Sequence, residues 1–494
     1  MYQLIVKNGF LLDGTGNPGY YGDVAIRDGR IAAVGKDLGS AEQILDATGL
    51  TVTPGFIDSH SHADAKVLEH PLQAEKTEQG VTTSIAGQCG NSAAPVAKMT
   101  FPQFMDQLKK TPLGANLVCF VGHGTLRKAV MPEQDRAPTD RELEAMKAIL
   151  AEALEHGAGG LSFGLFYAPG CFAREAELVA LAKVAAAHGA PVSAHIRNEG
   201  DQVVEAVGEF IRVIRMSGAR GILSHHKAVR RRNWPKIQKT LALLQQAVAE
   251  GLDIYCDVYP YCASSTTFSQ AFVPKSWRAE GVEGLLRNLA DPDLCRENKR
   301  SYFETEEEDL SWVQVTVCPG YPQYEGLRLP EIAQLHGKDP FDTAMDLIRD
   351  TKDSCKACFF SIGEEQMLQV LAWERTMVGS DGGLQGTANV YHPRLRGSFS
   401  RALRYVRERG VVSLPEMIRK MTMLPAQVYG LTGKGLLRPG YDGDICVFDP
   451  ETVCDRAGFI NCHEKAEGLR WVLVNGQVAS ENAIATGAFG VKPE

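Results

Sequence analysis

Gly55-Phe56-Ile57-Asp58-Ser59-His60-Ser61-His62 decides how this chain is read. A short apolar run ends in polar residues, and two histidines follow with one residue between them. In extended backbone alternate side chains share a face, so both imidazoles project the same way. Paired imidazoles fill an apolar core poorly but chelate zinc well.

Outward from this stretch, β-rich runs with polar ends alternate with amphipathic helical stretches, the rhythm of βα units around a parallel sheet. The runs end near Asp58, Cys89, His123, Tyr167, His195, His225, Asp257 and Asp381, and the helices between them include residues 140–156, 174–188 and 234–250. Eight such runs close a (β/α)8 TIM-like barrel, whose functional residues sit at the C-terminal strand ends. Cys89, His195, His225 and Asp381 therefore point at the same mouth as His60 and His62. Residues 264–317 are too long for an ordinary loop and read as an inserted lid. The stretch 1–54 carries hairpin-like runs with DGTGNPG and RDGR turns, and 436–494 returns to that pattern. Both ends are assigned to one small β-sandwich, leaving 55–435 to the barrel.

Over 494 residues, 44% hydrophobic and 23% charged content exclude a disordered or membrane-embedded chain. Sixty acidic side chains against 52 basic ones, a net charge of -8, supply no positive field for nucleic acid or an anionic membrane. The expected partner is a small molecule, with a homo-oligomer left open. The start shows neither a basic leader nor a long apolar segment, and the 12 cysteines form no dense framework, so reduced thiols and a cytoplasmic location are expected. Cys355 and Cys358 form a lone CxxC, read as core thiols.

Several residues keep a plain structural alternative. Cys89 alone could be a buried free thiol, and Asp381 could cap the turn before Gly382-Gly383. Alternation puts His226 on the face opposite His225, toward the helices. His188 reads as a helix C-terminal cap, and His123 either lines the mouth or satisfies loop backbone. Arg230, Arg231 and Arg232 read first as a solvated face.

The segments FIDSHSHAD (56–64), QGVTTSIAGQCGNS (79–92), GLSFGLFYAPG (160–170), AHIRNEG (194–200), ILSHHK (222–227), DVYPY (257–261), VGSDGG (378–383) and YHPRLRG (391–397) occur in one order. In that order the chain resembles the N-acyl-D-amino-acid deacylases, or D-aminoacylases, of the metal-dependent amidohydrolase superfamily, over about residues 1–480. The resemblance implies zinc-dependent hydrolysis of N-acyl-D-amino acids. It implies one tight zinc site and a second, weaker one: His60 and His62 on one ion, His195 and His225 on the other. Cys89 would bridge or bind the tighter site, where relatives outside this branch use a carbamylated lysine. Asp381 would shuttle the proton and Tyr167 would donate to the oxyanion, although a rim tyrosine packed on Pro169 would look the same. Lys227, Tyr259 and Arg394 would bind the substrate's free carboxylate. The chain departs from the family pattern at 383–391 and in the insertion after Tyr261, the segments that would select side chain and acyl group. A cyclic-amide hydrolase of the hydantoinase or dihydroorotase kind, or a dipeptidase, would use the same fold and metals. A non-catalytic assembly protein would have lost ligands, and none is missing.

Overall fold

Short aliphatic runs become the staves of a parallel barrel: β1 (Phe56–Asp58), β2 (Val81–Ala86), β3 (Asn116–Cys119, resumed at Val121–Gly122), β4 (Leu161–Gly164), β5 (Val192–His195), β6 (Gly221–Leu223), β7 (Ile254–Val258) and β8 (Thr376–Val378). This computed structural model describes residues 1–96, 98–131, 135–305, 309–384 and 389–486. Pairing is parallel from β1 through β3 and from β3 through β8. Phe120 interrupts β3, and its N–H still donates to Ala86 O at 2.9 Å. The ring closes between β8 and β1: Ser59 N and Oγ both reach Val378 O, at 3.3 and 2.8 Å, and Asp381 N donates to His60 O at 2.8 Å. Every residue of β2, β4, β5, β6 and β8 is buried, as befits strands covered on both faces.

The covering helices carry their own start and stop signals. Thr139 and Glu142 form a capping box at the head of Asp140–Glu155, which buries Met146, Leu150 and Ala153 on one face. Val203–Ser217 ends at Gly218 in left-handed backbone. Among the described residues no helix is long and apolar enough to cross a membrane.

Both chain ends build one nine-stranded sheet, joined where Thr51–Pro54 pairs antiparallel with Ile445–Phe448. Its separate core includes Leu4, Val24, Val447 and Leu473. Between β7 and β8 stands an insert with a core of its own, including Phe268, Phe272, Val315, Phe341 and Phe359. Its antiparallel sheet runs Ser264–Thr267, Lys356–Phe359, Val313–Val317. The insert therefore does not end at Val317 but continues to Phe359. Its central strand comes last in sequence, after the amphipathic helices Leu329–His336 and Pro340–Asp350, whose pattern is that of barrel helices. The insert reaches the mouth through Lys275, which donates to Arg197 O at 2.8 Å and lies 5.2 Å over the Phe166 ring.

Candidate active site

The chain leaving β1 is anchored before it reaches the histidines. Buried Asp58 accepts from Lys76 Nζ at 2.7 Å and from Ser380 N and Oγ at 2.8 and 2.6 Å, which ties β1 to the loop after β8. His60 is wholly buried, with Nδ1 3.2 Å from Asp257 Oδ2. Asp257 also accepts from His225 N at 2.8 Å, so one carboxylate at the end of β7 sets two histidines. His62 is 31% exposed, and its Nε2 lies 3.1 Å from Asp381 Oδ1.

Cys89 follows β2 with φ 54°, backbone that non-glycine residues rarely adopt. Asp64 holds its loop from both sides, accepting from Gly87 N at 3.0 Å and Ala93 N at 2.8 Å. Gly164 lies against it so closely that an added Cβ would collide with the Cys89 carbonyl. The sulfur sits 3.3 Å from both His60 Nε2 and His225 Nε2.

His195 ends β5, and neither of its buried ring nitrogens has a hydrogen-bond partner among the described residues. Its Nε2 is 3.6 Å from Glu199 Oε1. Glu199 Oε1 is also 3.1 Å from His225 Nδ1 and accepts from Lys227 Nζ at 2.7 Å. The Lys227 ammonium thus faces Glu199 and the His225 ring, 2.9 Å from its Nδ1, rather than open space. Asp381 has φ 47°, pairs through Oδ2 with Arg394 Nη1 at 2.9 Å, and lines both cavities at the mouth together with Tyr167. Arg394 lies 4.7 Å over the Tyr259 ring and Lys227 5.5 Å from it, while the buried Tyr259 hydroxyl has no partner among the described residues.

Electrostatics couple these side chains. Burial alone would push the Cys89 thiol up, but His60 and His225 pull it well below its ordinary value. Burial likewise opposes charge on Asp381, yet Arg394 and His225 hold it well below the carboxylate range. Desolvation would neutralise His62, but bonds to Asp381 and Cys89 carry it up to about 9. The cluster therefore balances thiolate and carboxylate with protons on imidazoles, and a metal ion would displace those protons. Burial raises Tyr167 well above the ordinary phenol value and Tyr259 to about 12, so both remain donors at neutral pH.

The donor set suits zinc. One donor atom each from His60, Cys89, His225 and Asp381 lies within 4.8 Å of the others, and His195, Glu199 and His225 form a second such set. Thiolate, imidazole and carboxylate in that combination are zinc ligands. Of the residues singled out in the sequence, His60, Cys89, His195, His225 and Asp381 converge, with His62 at the edge. Glu199 and Asp257 join the site without being expected there; their sequence signals are slight, since Glu199 stands four residues after His195 and Asp257 ends a strand.

Other histidines lie elsewhere. His226 Nε2 is 2.9 Å from Thr240 Oγ1 on the helix Lys236–Ala249, and burial lowers it to about 3. His188 Nδ1 is 2.8 Å from Val184 O, a helix-end bond. His123 is buried with Nε2 2.8 Å from Glu177 Oε1, which also binds Arg127. Arg231 and Arg232 are exposed, as expected of a solvated face, with Arg232 at the rim of one mouth cavity. Arg230 departs from that expectation: the chain turns inward there with φ 73° and stacks the guanidinium 3.6 Å over Trp312 of the insert. Within the divergent segment 383–391, residues 385–388 lie outside the described residues.

Comparison with known proteins places this geometry in context. The family model described as "Amidohydrolase family" matches residues 43–294 and 374–479. The chain is 39% identical over 494 residues to the N-acyl-D-glutamate deacylase of Alcaligenes xylosoxydans xylosoxydans, covering 96% of this chain and 93% of that protein. It is 35% identical over 507 residues to the D-aminoacylase of the same organism, covering 98% and 96%. Among solved structures, the N-acyl-D-glutamate deacylase of Bordetella bronchiseptica, complexed with zinc and a phosphonate mimic of the reaction's tetrahedral intermediate, superposes with a TM-score of 0.87. That match has 35% identity and covers 100% of this chain and 99% of the other.

Proposed function

The chain belongs to the amidohydrolase family, and from that premise we propose that it is a zinc-dependent hydrolase of N-acyl-D-amino acids, releasing a carboxylate and a D-amino acid. The buried convergence of His60, Cys89, His225 and Asp381, with donor atoms within 4.8 Å, carries this reading. Full-length similarity to deacylases of N-acyl-D-amino acids supports the linear amide over a ring or a dipeptide.

His60, Cys89, His225 and Asp381, with His62 beside them, would hold one zinc, and His195, His225 and Glu199 would hold the other. When bound, zinc supplies Lewis acidity that polarises the scissile carbonyl and acidifies the attacking water. Asp381 accepts the water's proton and delivers it to the departing nitrogen, so no free amide anion leaves. Its Oδ2 contact with Arg394, at 2.9 Å, keeps it ionised and fixes its orientation. Tyr167, a buried phenol held in its protonated form, donates to the oxygen that gains charge. Arg394 and the Tyr259 hydroxyl, which has no partner among the described residues, grip the substrate's α-carboxylate. Lys227, 2.7 Å from Glu199, adds positive charge to that pocket and orients the His225 ring. The insert serves as a lid, with residues 1–54 and 436–494 as the supporting β module and 55–435 as the catalytic unit. All 12 cysteines are unpaired thiols, which supports a reducing, cytoplasmic setting.

Side-by-side assay of N-acetyl-D-amino acids, hydantoins and dipeptides tests the reaction class. Preferential turnover of the N-acetyl-D series is expected, and preferential opening of a ring would overturn the assignment.

A further inference from the structure

His392 lies buried at the mouth where three parts of the chain meet. Its ring packs edge-on against Tyr259 and Tyr261 beyond β7, at 6.1 and 5.2 Å, and against Phe459 of the carboxy-terminal stretch at 5.1 Å. Both ring nitrogens are engaged. Nδ1 accepts from Arg394 N at 3.1 Å, and Nε2 lies 2.8 Å from Ala263 O, one residue before the insert's first strand. A backbone N–H can only donate and a carbonyl can only accept, so the ring is neutral and carries its proton on Nε2. Burial, and after it the charge of Arg394, hold His392 well below the usual imidazole value, in keeping with that tautomer.

The bond to Arg394 matters because of where that residue stands. Arg394 opens the helix Arg394–Arg409, whose first N–H groups have no acceptor inside the helix. Pro393, just before it, offers no side-chain cap. The His392 imidazole supplies the missing acceptor from two residues upstream, in the manner of an Asx turn built with histidine in place of Asn. It thereby fixes the backbone from which the guanidinium reaches the mouth. The guanidinium itself touches Asp381 at 2.9 Å and the Tyr259 ring at 4.7 Å, and its buried Nε has no hydrogen-bond partner among the described residues. An open donor of this kind suits a carboxylate, and its aim follows the start of the helix.

We propose that His392 is a positioning residue for substrate recognition: bonded to Arg394 N and Ala263 O, it sets the Arg394 fork and the Tyr259 ring as one clamp for the α-carboxylate and registers that clamp to the insert. The inference rests on the deacylase reading above. With both nitrogens engaged the ring has no polar atom left for substrate, so it acts through Arg394.

The test measures kcat and KM in the wild type, His392→Phe and His392→Asn, with the N-acetyl-D-amino acid that the wild type turns over fastest. Phe keeps a ring and loses both bonds. Asn loses the ring, but its carboxamide oxygen can accept from Arg394 N in a true Asx turn. KM does not depend on the fraction of enzyme that folds. In His392→Phe, KM is expected to rise about tenfold, the lower end for a misaligned charge-assisted hydrogen bond. Its kcat should stay within about threefold of wild type, because the α-carboxylate is held alike in ground and transition states. His392→Asn should keep KM within about threefold of wild type, since one capping acceptor replaces another. His392→Gln, placed to reach Ala263 O but not Arg394 N, should match His392→Phe and stands in for it if that variant does not fold. A wild-type KM in the variants that lose the Arg394 bond, an equal rise in His392→Asn, or a fall in kcat with KM unchanged would overturn the positioning role and leave the deacylase reading intact. Failure of the wild type to release amino acid from every N-acetyl-D-amino acid would remove both.

Discussion

Cys89, His225 and Asp381 all occupy left-handed backbone, with φ of 54°, 34° and 47°. Each such residue costs on the order of 1–3 kcal/mol and persists where the surroundings over-determine it. Here Asp64, Asp257 and the bonds of the β1–β8 seam do so. This part of the site was not legible in the sequence, because nothing in GQCGNS or SHHK announces a left-handed turn. His60 and His62 were legible, since the period of a strand puts alternate residues on one face. Asp381→Asn should lower kcat by about 10²- to 10⁴-fold, the range for a positioned base, as measured in steady-state assays of zinc-loaded protein. Asp257→Asn leaves His60 Nδ1 without a carboxylate and should weaken zinc binding by about 10- to 100-fold in a competition titration with a chelating dye. His60 is raised because Asp257 and Cys89 outweigh the burial that lowers it, and His62 is raised to about 9, so both hold protons at neutral pH. Zinc must displace those protons. Affinity should therefore rise with pH up to about 9, the value cited for His62, and calorimetry in buffers of different ionisation enthalpy should detect proton release.

Among the elements, the seam between β8 and β1 depends on a buried pair that the sequence did not reveal. Lys76 Nζ lies 2.7 Å from Asp58 Oδ2 and 2.9 Å from Ser380 Oγ, under the loop that carries Asp381. Lys76→Met would strand Asp58 as a buried lone charge, at a cost of about 3–5 kcal/mol. Chemical denaturation should register that loss. A second buried lysine gives a pH signature. Burial lowers Lys420 to about 8 where its helix, Leu414–Met421, meets the carbonyls of Trp373 and Thr376. Below about 8 both folded and unfolded chains carry the charge, and the full desolvation penalty is present. From about 8 up to the ordinary value of 10.5 the unfolded chain binds more protons, so stability rises with pH. Lys420→Met should flatten that rise, worth on the order of 3 kcal/mol, when the two proteins are compared by denaturation at pH 7 and 10. Strand ends and helices of the barrel were readable because their periods are clean. The end of the insert was not, because the strand that completes its sheet lies beyond two helices and pairing partners leave no local mark.

For the molecule as a whole, the alternation of strands and helices was enough to indicate a barrel, and the hairpin-like runs at both ends indicated a second sheet. Net charge carried little about the site. A net charge of -8 coexists with a mouth cavity whose wall carries Lys356 of the insert and Arg394 beside Asp381, a juxtaposition that only the folded chain makes. The central claim is a zinc-dependent deacylase selective for the D configuration. It is tested most directly by incubating matched N-acetyl-D- and N-acetyl-L-amino acids with zinc-loaded, chelated and re-metallated enzyme, and assigning the chirality of the amino acid released. The account predicts hydrolysis of the D series, its loss on chelation and its return with zinc. Turnover of the L series alone, or a rate indifferent to chelation in protein shown to be metal-free, would contradict it.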